Sequence, residues 1–212
     1  MSILTDENKK QLKEFLKAIE RDTTIVLFNE ENAPAGNETA ELLRAMAELS
    51  DKLHLEEKDF ATEKALATEY GVHAAPGYVI LNDKKEFTRV RFIGVPLGHE
   101  INSLLSALVE IGGTTDPMPE AMLERVKKID KPVDIKVFVT LSCPHCPGAV
   151  QKAHALALAN PNIQAEMVEA QSFPELSQKY GVGSVPHTVF NGHETIIGNY
   201  PFEDFIAKAE SA

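Results

Sequence analysis

The sequence predicts an α/β protein built from two tandem copies of one unit, each a mixed sheet with helices on both faces. Landmark residues recur at one fixed offset in the two halves, and short apolar runs alternate with helical segments within each half. The length of 212 residues allows two small units of this kind.

The internal repeat is visible as identical or similar residues 110 positions apart. The clearest match is the string Tyr-Gly-Val-x-x-x-Pro, which begins at Tyr70 and again at Tyr180. The other paired positions are Ile25 with Ile135, Phe28 with Phe138, Leu53 with Ile163, Glu56 with Glu166, and Leu66 with Leu176. Ile93-Gly94 matches Ile197-Gly198 at an offset of 104, which predicts a shorter hairpin in the second copy. We therefore interpret the chain as a tandem duplication.

Periodicity and composition predict the first elements of the second copy. Residues 120–129 place apolar side chains near one helical face, and residues 135–141 are an apolar, β-branched run typical of a strand covered on both faces. Residues 149–159 are rich in alanine and leucine, which favours a helix. Asn160-Pro161 ends that helix, because proline disfavours helical geometry in the residue before it.

The second copy then continues to the carboxyl terminus. The remaining predicted elements are strand 163–168, helix 175–180 closed by Gly181, strands 188–191 and 195–198, and helix 202–209. This order is that of a thioredoxin fold, and the first copy repeats it from a helix at 6–19 to a helix at 98–111.

Gly112-Gly113-Thr114-Thr115-Asp116-Pro117 has the composition of a linker. We expect residues 1–113 to form one thioredoxin-like unit and residues 114–212 to form the other. Because the linker is short, the two tandem thioredoxin-like folds should pack together, with mixed central sheets and flanking helices.

The two cysteines of the chain lie in Cys143-Pro144-His145-Cys146, between a predicted strand and a predicted helix. Unpaired backbone N–H groups and the helix dipole stabilise a thiolate at the first cysteine of such a junction. We therefore predict that Cys143 is the attacking nucleophile and that Cys146 resolves the mixed disulfide. Pro144 and His145 are expected to contact the substrate, and His145 adds positive charge when protonated.

Pro186 follows Val185 and opens a predicted strand, where a trans proline would lose a ladder hydrogen bond. A cis Val185–Pro186 bond would instead turn the Val185 backbone toward the dithiol, where the extended chain of a partner can pair with it. Val185 and Pro186 are therefore predicted to bind the substrate.

The first unit has no cysteine. At the repeat offset Ala33-Pro34-Ala35-Gly36 lies over the dithiol motif, so a proline is kept and both sulfurs are absent. This unit either buries one side of the second unit and shapes a groove near the dithiol, or it serves stability alone.

Several other functions are disfavoured. The cysteine pair could be half of a zinc site with His145 and His154, but zinc usually needs four ligands, so we predict no metal. The formal charge of −11 argues against a nucleic-acid partner. The amino terminus has no basic segment followed by an apolar one, and no run approaches the roughly 18 apolar residues of a membrane span. We therefore expect a cytoplasmic protein with no membrane partner.

Four strings go beyond a bare Cys-x-x-Cys motif: 47–52 (Ala-Glu-Leu-Ser-Asp-Lys), 91–100 (Arg-Phe-Ile-Gly-Val-Pro-Leu-Gly-His-Glu), 141–147 (Leu-Ser-Cys-Pro-His-Cys-Pro) and 183–186 (Gly-Ser-Val-Pro). With them the chain resembles, over nearly its whole length, the amino-terminal domain of the flavoprotein subunit of alkyl hydroperoxide reductases. The two fused folds are also similar to the glutaredoxin-like protein disulfide oxidoreductases, many of which carry a dithiol in each unit.

The first resemblance implies electron transfer from a thioredoxin-reductase-like flavoprotein to a peroxiredoxin or another protein disulfide. It also implies that Glu100 lies near the dithiol and transfers a proton. Val137 stands at the position where thioredoxin has a buried acid, so Glu100 could take the place of that acid. The alternative interpretation is that Glu100 is an exposed acid favoured by a nearby helix N-terminus. No Gly-x-Gly-x-x-Gly string occurs, so FAD and NAD(P)H are expected on the partner reductase, and the Cys143–Cys146 disulfide is the redox group here.

The sequence thus predicts a thiol–disulfide oxidoreductase that carries electrons through one dithiol. Two alternatives stay open: a general protein disulfide reductase or isomerase, and a non-catalytic module whose cysteines bind metal or nothing.

Overall fold

A computed structural model describes residues 4–114 and 118–212. The elements follow in the order α1 (Asp6–Leu16), β1 (Thr23–Asn29), α2 (Gly36–Ala47), β2 (Leu53–Asp59), α3 (Lys64–Glu69), β3 (Gly77–Leu81), β4 (Phe87–Ile93), a 3-10 turn (Gly98–Glu100), α4 (Ile101–Gly112), α5 (Glu120–Val126), β5 (Val133–Val139), α6 (Cys146–Ala159), β6 (Ile163–Glu169), α7 (Pro174–Lys179), β7 (His187–Phe190), β8 (Glu194–Ile197) and α8 (Phe202–Ser211).

The strands form one mixed sheet in the order β2-β1-β3-β4-β6-β5-β7-β8. Within each half the first two strands pair in parallel and the others pair antiparallel. The sequence predicted two central sheets, but β4 and β6 pair in parallel, from Val90 with Ala165 to Ile93 with Val168. Each of these strands would otherwise be an exposed edge, and their pairing satisfies both rows of backbone groups.

The duplication is confirmed by the positions of the elements. Strands β1 and β5, strands β2 and β6, and helices α3 and α7 each begin 110 residues apart. The second hairpin is shorter, as predicted, because β8 has four residues where β4 has seven.

Some predicted boundaries were wrong for local reasons. Helix α1 ends at Leu16 rather than at residue 19, because the chain tightens there into a turn in which the Ile19 amide donates to the Leu16 carbonyl at 3.1 Å. Helix α6 starts at Cys146 rather than at residue 149, since Pro147 lies in the first turn, where proline is tolerated. Strand β5 spans 133–139 rather than 135–141, and Leu141 is already in a turn.

Buried charges join the two halves on one face of the β4–β6 pair. Arg91 of β4 forms ion pairs with Asp134 at 2.9 Å and with Glu166 at 3.4 Å. Glu166 also contacts Lys136 at 2.6 Å and His73 at 3.1 Å. Burial alone would raise the pKa of Glu166, but the hydrogen bond with His73 and the charges of Lys136 and Arg91 together lower it to about 2.

The division between residues 113 and 114 stays a prediction, because linker residues 115–117 lie outside the described residues. Within residues 4–114 and 118–212, no helix is both long enough and apolar enough to span a membrane.

Candidate active site

The cysteine motif lies in the turn between β5 and α6. The Cys143 amide donates to the Thr140 carbonyl at 3.1 Å, and Cys146 is the first residue of α6. The two sulfurs are joined in a disulfide, with the Cα atoms 5.5 Å apart. The strand and the helix therefore fix both cysteines, and the site is in its oxidised state.

The two cysteines differ in exposure. Cys146 is completely buried, whereas Cys143 is half-buried and packs at the edge of the apolar core. Pro144 and His145, between them, are exposed. A reacting sulfur from outside can therefore reach Cys143 but not Cys146, which is the asymmetry that exchange in two steps requires.

Val185 lies beside the dithiol, as the sequence predicted. Its carbonyl oxygen is 4.0 Å from the Cys143 sulfur, and the Val185–Pro186 peptide bond is cis. Pro186 is buried, and its carbonyl accepts a hydrogen bond of 2.8 Å from the Gly198 amide. The loop from β8 to α8 therefore borders the same site.

Glu100 comes from the first half and lies in the interior. It ends the 3-10 turn whose His99 amide donates to the Leu141 carbonyl at 2.9 Å, two residues before Cys143. Its side chain is completely buried, so the alternative of an exposed acid at a helix start is wrong. The Ser103 hydroxyl donates to Glu100 Oε2 at 2.6 Å, while Oε1 has no hydrogen-bond partner among the described residues.

The burial of Glu100 changes its acidity. Loss of solvation raises the pKa of Glu100 from 4.5 to about 7, although the hydrogen bond from Ser103 acts in the opposite direction. A carboxyl group with this pKa can both accept and release a proton near neutral pH.

Comparison with known proteins agrees with this geometry. Residues 133–210 match the family model described as a thioredoxin domain. Residues 133–210 therefore form a thioredoxin domain. The alkyl hydroperoxide reductase protein AhpF from Staphylococcus epidermidis is 30% identical over 211 residues, which cover 99% of this chain and 38% of the relative. AhpF from Staphylococcus aureus is 29% identical with the same coverage.

Solved structures extend the relationship to both halves. AhpF from Enterococcus faecalis superposes with a TM-score of 0.90 at 29% identity, over 96% of this chain and 98% of the other. A protein disulfide oxidoreductase from Aeropyrum pernix also gives a TM-score of 0.90, at 27% identity, over 98% and 92%. The chain is homologous to the amino-terminal region of AhpF, and it spans 38% of the length of the curated relatives.

The first half repeats the fold of the second half without its sulfurs. Gly36 occupies the position of Cys146, and its carbonyl accepts a hydrogen bond of 3.0 Å from the Asn29 side chain. A Cβ atom at Gly36 would lie 2.5 Å from Asn29 Oδ1. The turn between β1 and α2 therefore has no room for a side chain at residue 36, where the second half has Cys146. The Ala75–Pro76 bond, which matches Val185–Pro186 at the repeat offset, is also cis.

Two site residues were missed by sequence reasoning. Ser103 could have been found, because it follows Glu100 by three residues at the start of α4 and can therefore reach its carboxylate. Tyr78 carried no such signal. It is completely buried, its hydroxyl is unpaired among the described residues, and burial and then the charge of Glu100 raise its pKa well above 10.

The residues named for a zinc site do not come together as ligands. His154 is buried in α6 against Phe92, with ring centroids 4.8 Å apart, and loss of solvation lowers its pKa to about 3. Across the described parts of the chain, no three His, Cys, Asp or Glu side chains are grouped to hold a metal ion. The two cysteine sulfurs are instead bonded to each other.

Proposed function

We propose that this chain is a thiol–disulfide oxidoreductase that carries electrons from a thioredoxin-reductase-like flavoprotein to a disulfide substrate such as a peroxiredoxin. The observation that carries the proposal is the disulfide between half-buried Cys143 and fully buried Cys146 at the start of α6. Homology to AhpF and to a protein disulfide oxidoreductase supports this reaction type.

The proposed cycle starts with reduction of the disulfide. A thiolate of the reductase attacks Cys143, and a second reductase thiol completes the transfer of two electrons, leaving two thiols here and a disulfide on the reductase. The unpaired amides at the start of α6 then stabilise the Cys143 thiolate.

In the second half-reaction the Cys143 thiolate attacks one sulfur of the substrate disulfide. A mixed disulfide forms, and the other substrate sulfur leaves as a thiolate that takes up a proton. Cys146 then loses its proton and attacks the Cys143 sulfur, which restores the disulfide and releases the second substrate sulfur as a thiolate that takes up a proton.

Glu100 is proposed to accept the proton that Cys146 loses. Its pKa of about 7 keeps a substantial ionised fraction near neutral pH, and Ser103 holds one of its oxygens. A buried thiol needs such a base because its own ionisation is disfavoured by burial.

The substrate chain is proposed to run past Val185 and Pro186, with exposed Pro144 and His145 on its other side. The Val185 backbone, 4.0 Å from the Cys143 sulfur, can pair with an extended segment and hold the target disulfide at the site. FAD and NAD(P)H belong to the reductase in this proposal. The cytoplasmic location stays a prediction.

A general protein disulfide reductase is the second candidate. The observation that favours it is the TM-score of 0.90 with the Aeropyrum pernix protein disulfide oxidoreductase, which equals that with the AhpF structure. The two candidates share the dithiol chemistry and differ in substrate.

Two cysteine variants test the mechanism. Cys143→Ser should abolish reduction of every disulfide substrate, while Cys146→Ser should accumulate a mixed disulfide that mass spectrometry detects. The assay supplies a thioredoxin-reductase-like flavoprotein with NADPH and compares a peroxiredoxin disulfide with insulin as substrates. Faster turnover of insulin would favour the general reductase, and turnover by Cys143→Ser would rule out both candidates.

A further inference from the structure

We infer that Lys152 is a positioning residue: it ties the loop between β8 and α8 to the first turn of α6, and through that loop it holds the Val185–Pro186 backbone beside the dithiol. The inference rests on the proposed function. It adds a residue that acts on the backbone where a substrate chain pairs, and not on the sulfurs.

The contacts of Lys152 join three elements. The residue lies in the second turn of α6, and its side chain returns toward the start of the helix, the direction in which helical side chains lean. Its ammonium group donates to the Gly148 carbonyl at 3.1 Å and to Asn199 Oδ1 at 2.5 Å. It also lies 5.7 Å from the centre of the Phe205 ring of α8. One cation therefore connects α6, the loop and α8.

The loop lies directly against the first turn of α6. Gly148 follows Cys146 by two residues, and a Cβ atom at Gly148 would lie 2.4 Å from Asn199 Nδ2. Any larger residue at 148 would displace the Asn199 amide. The glycine thus permits the close approach, and Lys152 supplies the hydrogen bond that keeps Asn199 there.

From the loop the contacts continue to the substrate site. Gly198, the residue before Asn199, donates its amide to the Pro186 carbonyl at 2.8 Å. Val185 precedes Pro186, and its carbonyl oxygen is 4.0 Å from the Cys143 sulfur. Movement of the loop would therefore shift the backbone on which a substrate chain is proposed to pair.

The first half has the same backbone arrangement in its own loop. Gly94 corresponds to Gly198 at the offset of 104, and both have positive φ angles, of 106° and 116°. The Gly94 amide donates to the Pro76 carbonyl at 2.8 Å, which matches the bond from Gly198 to Pro186. The hydrogen bond to the cis proline therefore belongs to the fold and forms with or without a dithiol.

The side chains at the loop and the helix differ between the halves. Val95 corresponds to Asn199 at the offset of 104, and Leu42 corresponds to Lys152 at the offset of 110. Both Val95 and Leu42 are buried. Apolar packing is thus sufficient at these positions in the half without cysteines, while the half with the dithiol has a cation and an amide. This difference connects the polar pair with the dithiol site and not with the fold.

The test replaces Lys152 by methionine, which keeps an unbranched apolar side chain and removes the ammonium group. Protein reduced with dithiothreitol and freed of the reductant reacts in a single turnover, and mass spectrometry after an acid quench gives the rate. One substrate is a linear peptide whose central cysteine forms a mixed disulfide with mercaptoethanol. The other is hydroxyethyl disulfide, which has no peptide backbone to pair with Val185.

In Lys152→Met the ratio of the peptide rate to the hydroxyethyl disulfide rate should fall about tenfold, the order expected for the loss of one charge-assisted hydrogen bond. Asn199→Ala should lower the ratio to a similar extent, and the double variant should lower it no further, because both changes break one contact. Asn199 is exposed, so Asn199→Ala carries the test if Lys152→Met does not fold. Lys128→Met removes the same charge from an exposed residue ahead of β5, at the opposite end of that strand from the dithiol, and should leave the ratio unchanged.

An unchanged ratio in folded Lys152→Met would overturn the inference. An equal loss of rate with both substrates would also overturn it, because the ammonium group would then act on the acidity of the dithiol. Additive losses in the double variant would show that the two residues act separately and would have the same consequence. Failure of the proposed function looks different, since the wild-type protein would then reduce neither substrate.

Discussion

Replacement of Glu100 by glutamine removes a carboxyl group that folding buries completely and keeps a side chain of similar shape. In the native protein the pKa of Glu100 is raised from 4.5 to about 7, first because of burial. At about 1.36 kcal/mol for each pKa unit, this difference corresponds to about 3 kcal/mol of native-state destabilisation once the group is ionised.

The sign of the effect depends on pH. Below about pH 4.5 the carboxyl group is protonated in both states and has no effect on the free energy of unfolding. Between about pH 4.5 and about pH 7 the unfolded chain releases the proton while the native protein keeps it, so the stability of the wild-type protein falls as pH rises. Glu100→Gln is neutral throughout and should gain up to about 3 kcal/mol relative to wild type by about pH 8.

Urea unfolding of the oxidised proteins, followed by circular dichroism between about pH 4.5 and about pH 8.5, measures this difference. Glu203→Gln, at an exposed carboxylate in α8, is the matched control for the change in net charge. If the glutamine amide itself changes the free energy of unfolding, it does so by the same amount at every pH. The test is therefore how the difference in the free energy of unfolding between Glu100→Gln and wild type changes with pH. Parallel curves for Glu100→Gln and wild type would refute the argument from burial.

Two further outcomes follow from the same contacts. Ser103→Ala removes the hydrogen bond that lowers the pKa of Glu100, so this pKa should rise. The midpoint of the pH profile for release of a mixed disulfide should therefore move to higher pH. An unchanged midpoint would show that Glu100 is not the base in that step. Glu166→Gln removes the buried carboxylate shared by Lys136 and Arg91 and leaves both paired with Asp134 alone, so it should cost up to about 3 kcal/mol in the free energy of unfolding near neutral pH. Because folding lowers the pKa of Glu166, this contribution should fade as pH falls from 4.5 toward 2, and equal loss at every pH would contradict it.

Most of the fold prediction depended on the internal repeat, because it showed that the two halves have the same order of elements. The Tyr-Gly-Val-x-x-x-Pro string aligned Pro76 with Pro186, and both follow cis peptide bonds. The cysteine motif was placed correctly between a strand and a helix, since apolar β-branched runs and alanine-rich segments are local signals. The start of α6 was predicted three residues too late because Pro147 and Gly148, in its first turn, are residues that disfavour helix interiors.

The pairing of β4 with β6 could not be predicted in this way. Each strand buries a charged side chain, Arg91 in β4 and Glu166 in β6, among apolar ones. Nothing local indicates that these two residues will pair across the two halves, or that either edge will pair with the other half. The burial of Glu100 was hidden for a similar reason. A glutamate beside a helix start is usually exposed, and this one is buried because the turn that holds it is tied to Leu141 of the other half.

By itself, the sequence determined the duplication, the order of elements in each half, and the single dithiol in the second, because each of these is visible in short strings of neighbouring residues and in their repetition. The tertiary structure decided that the halves share one sheet and that Glu100 is buried with a pKa of about 7. These properties arise from contacts between segments far apart in sequence. Solvation and packing density, which set acidity and empty space, exist only once those segments meet.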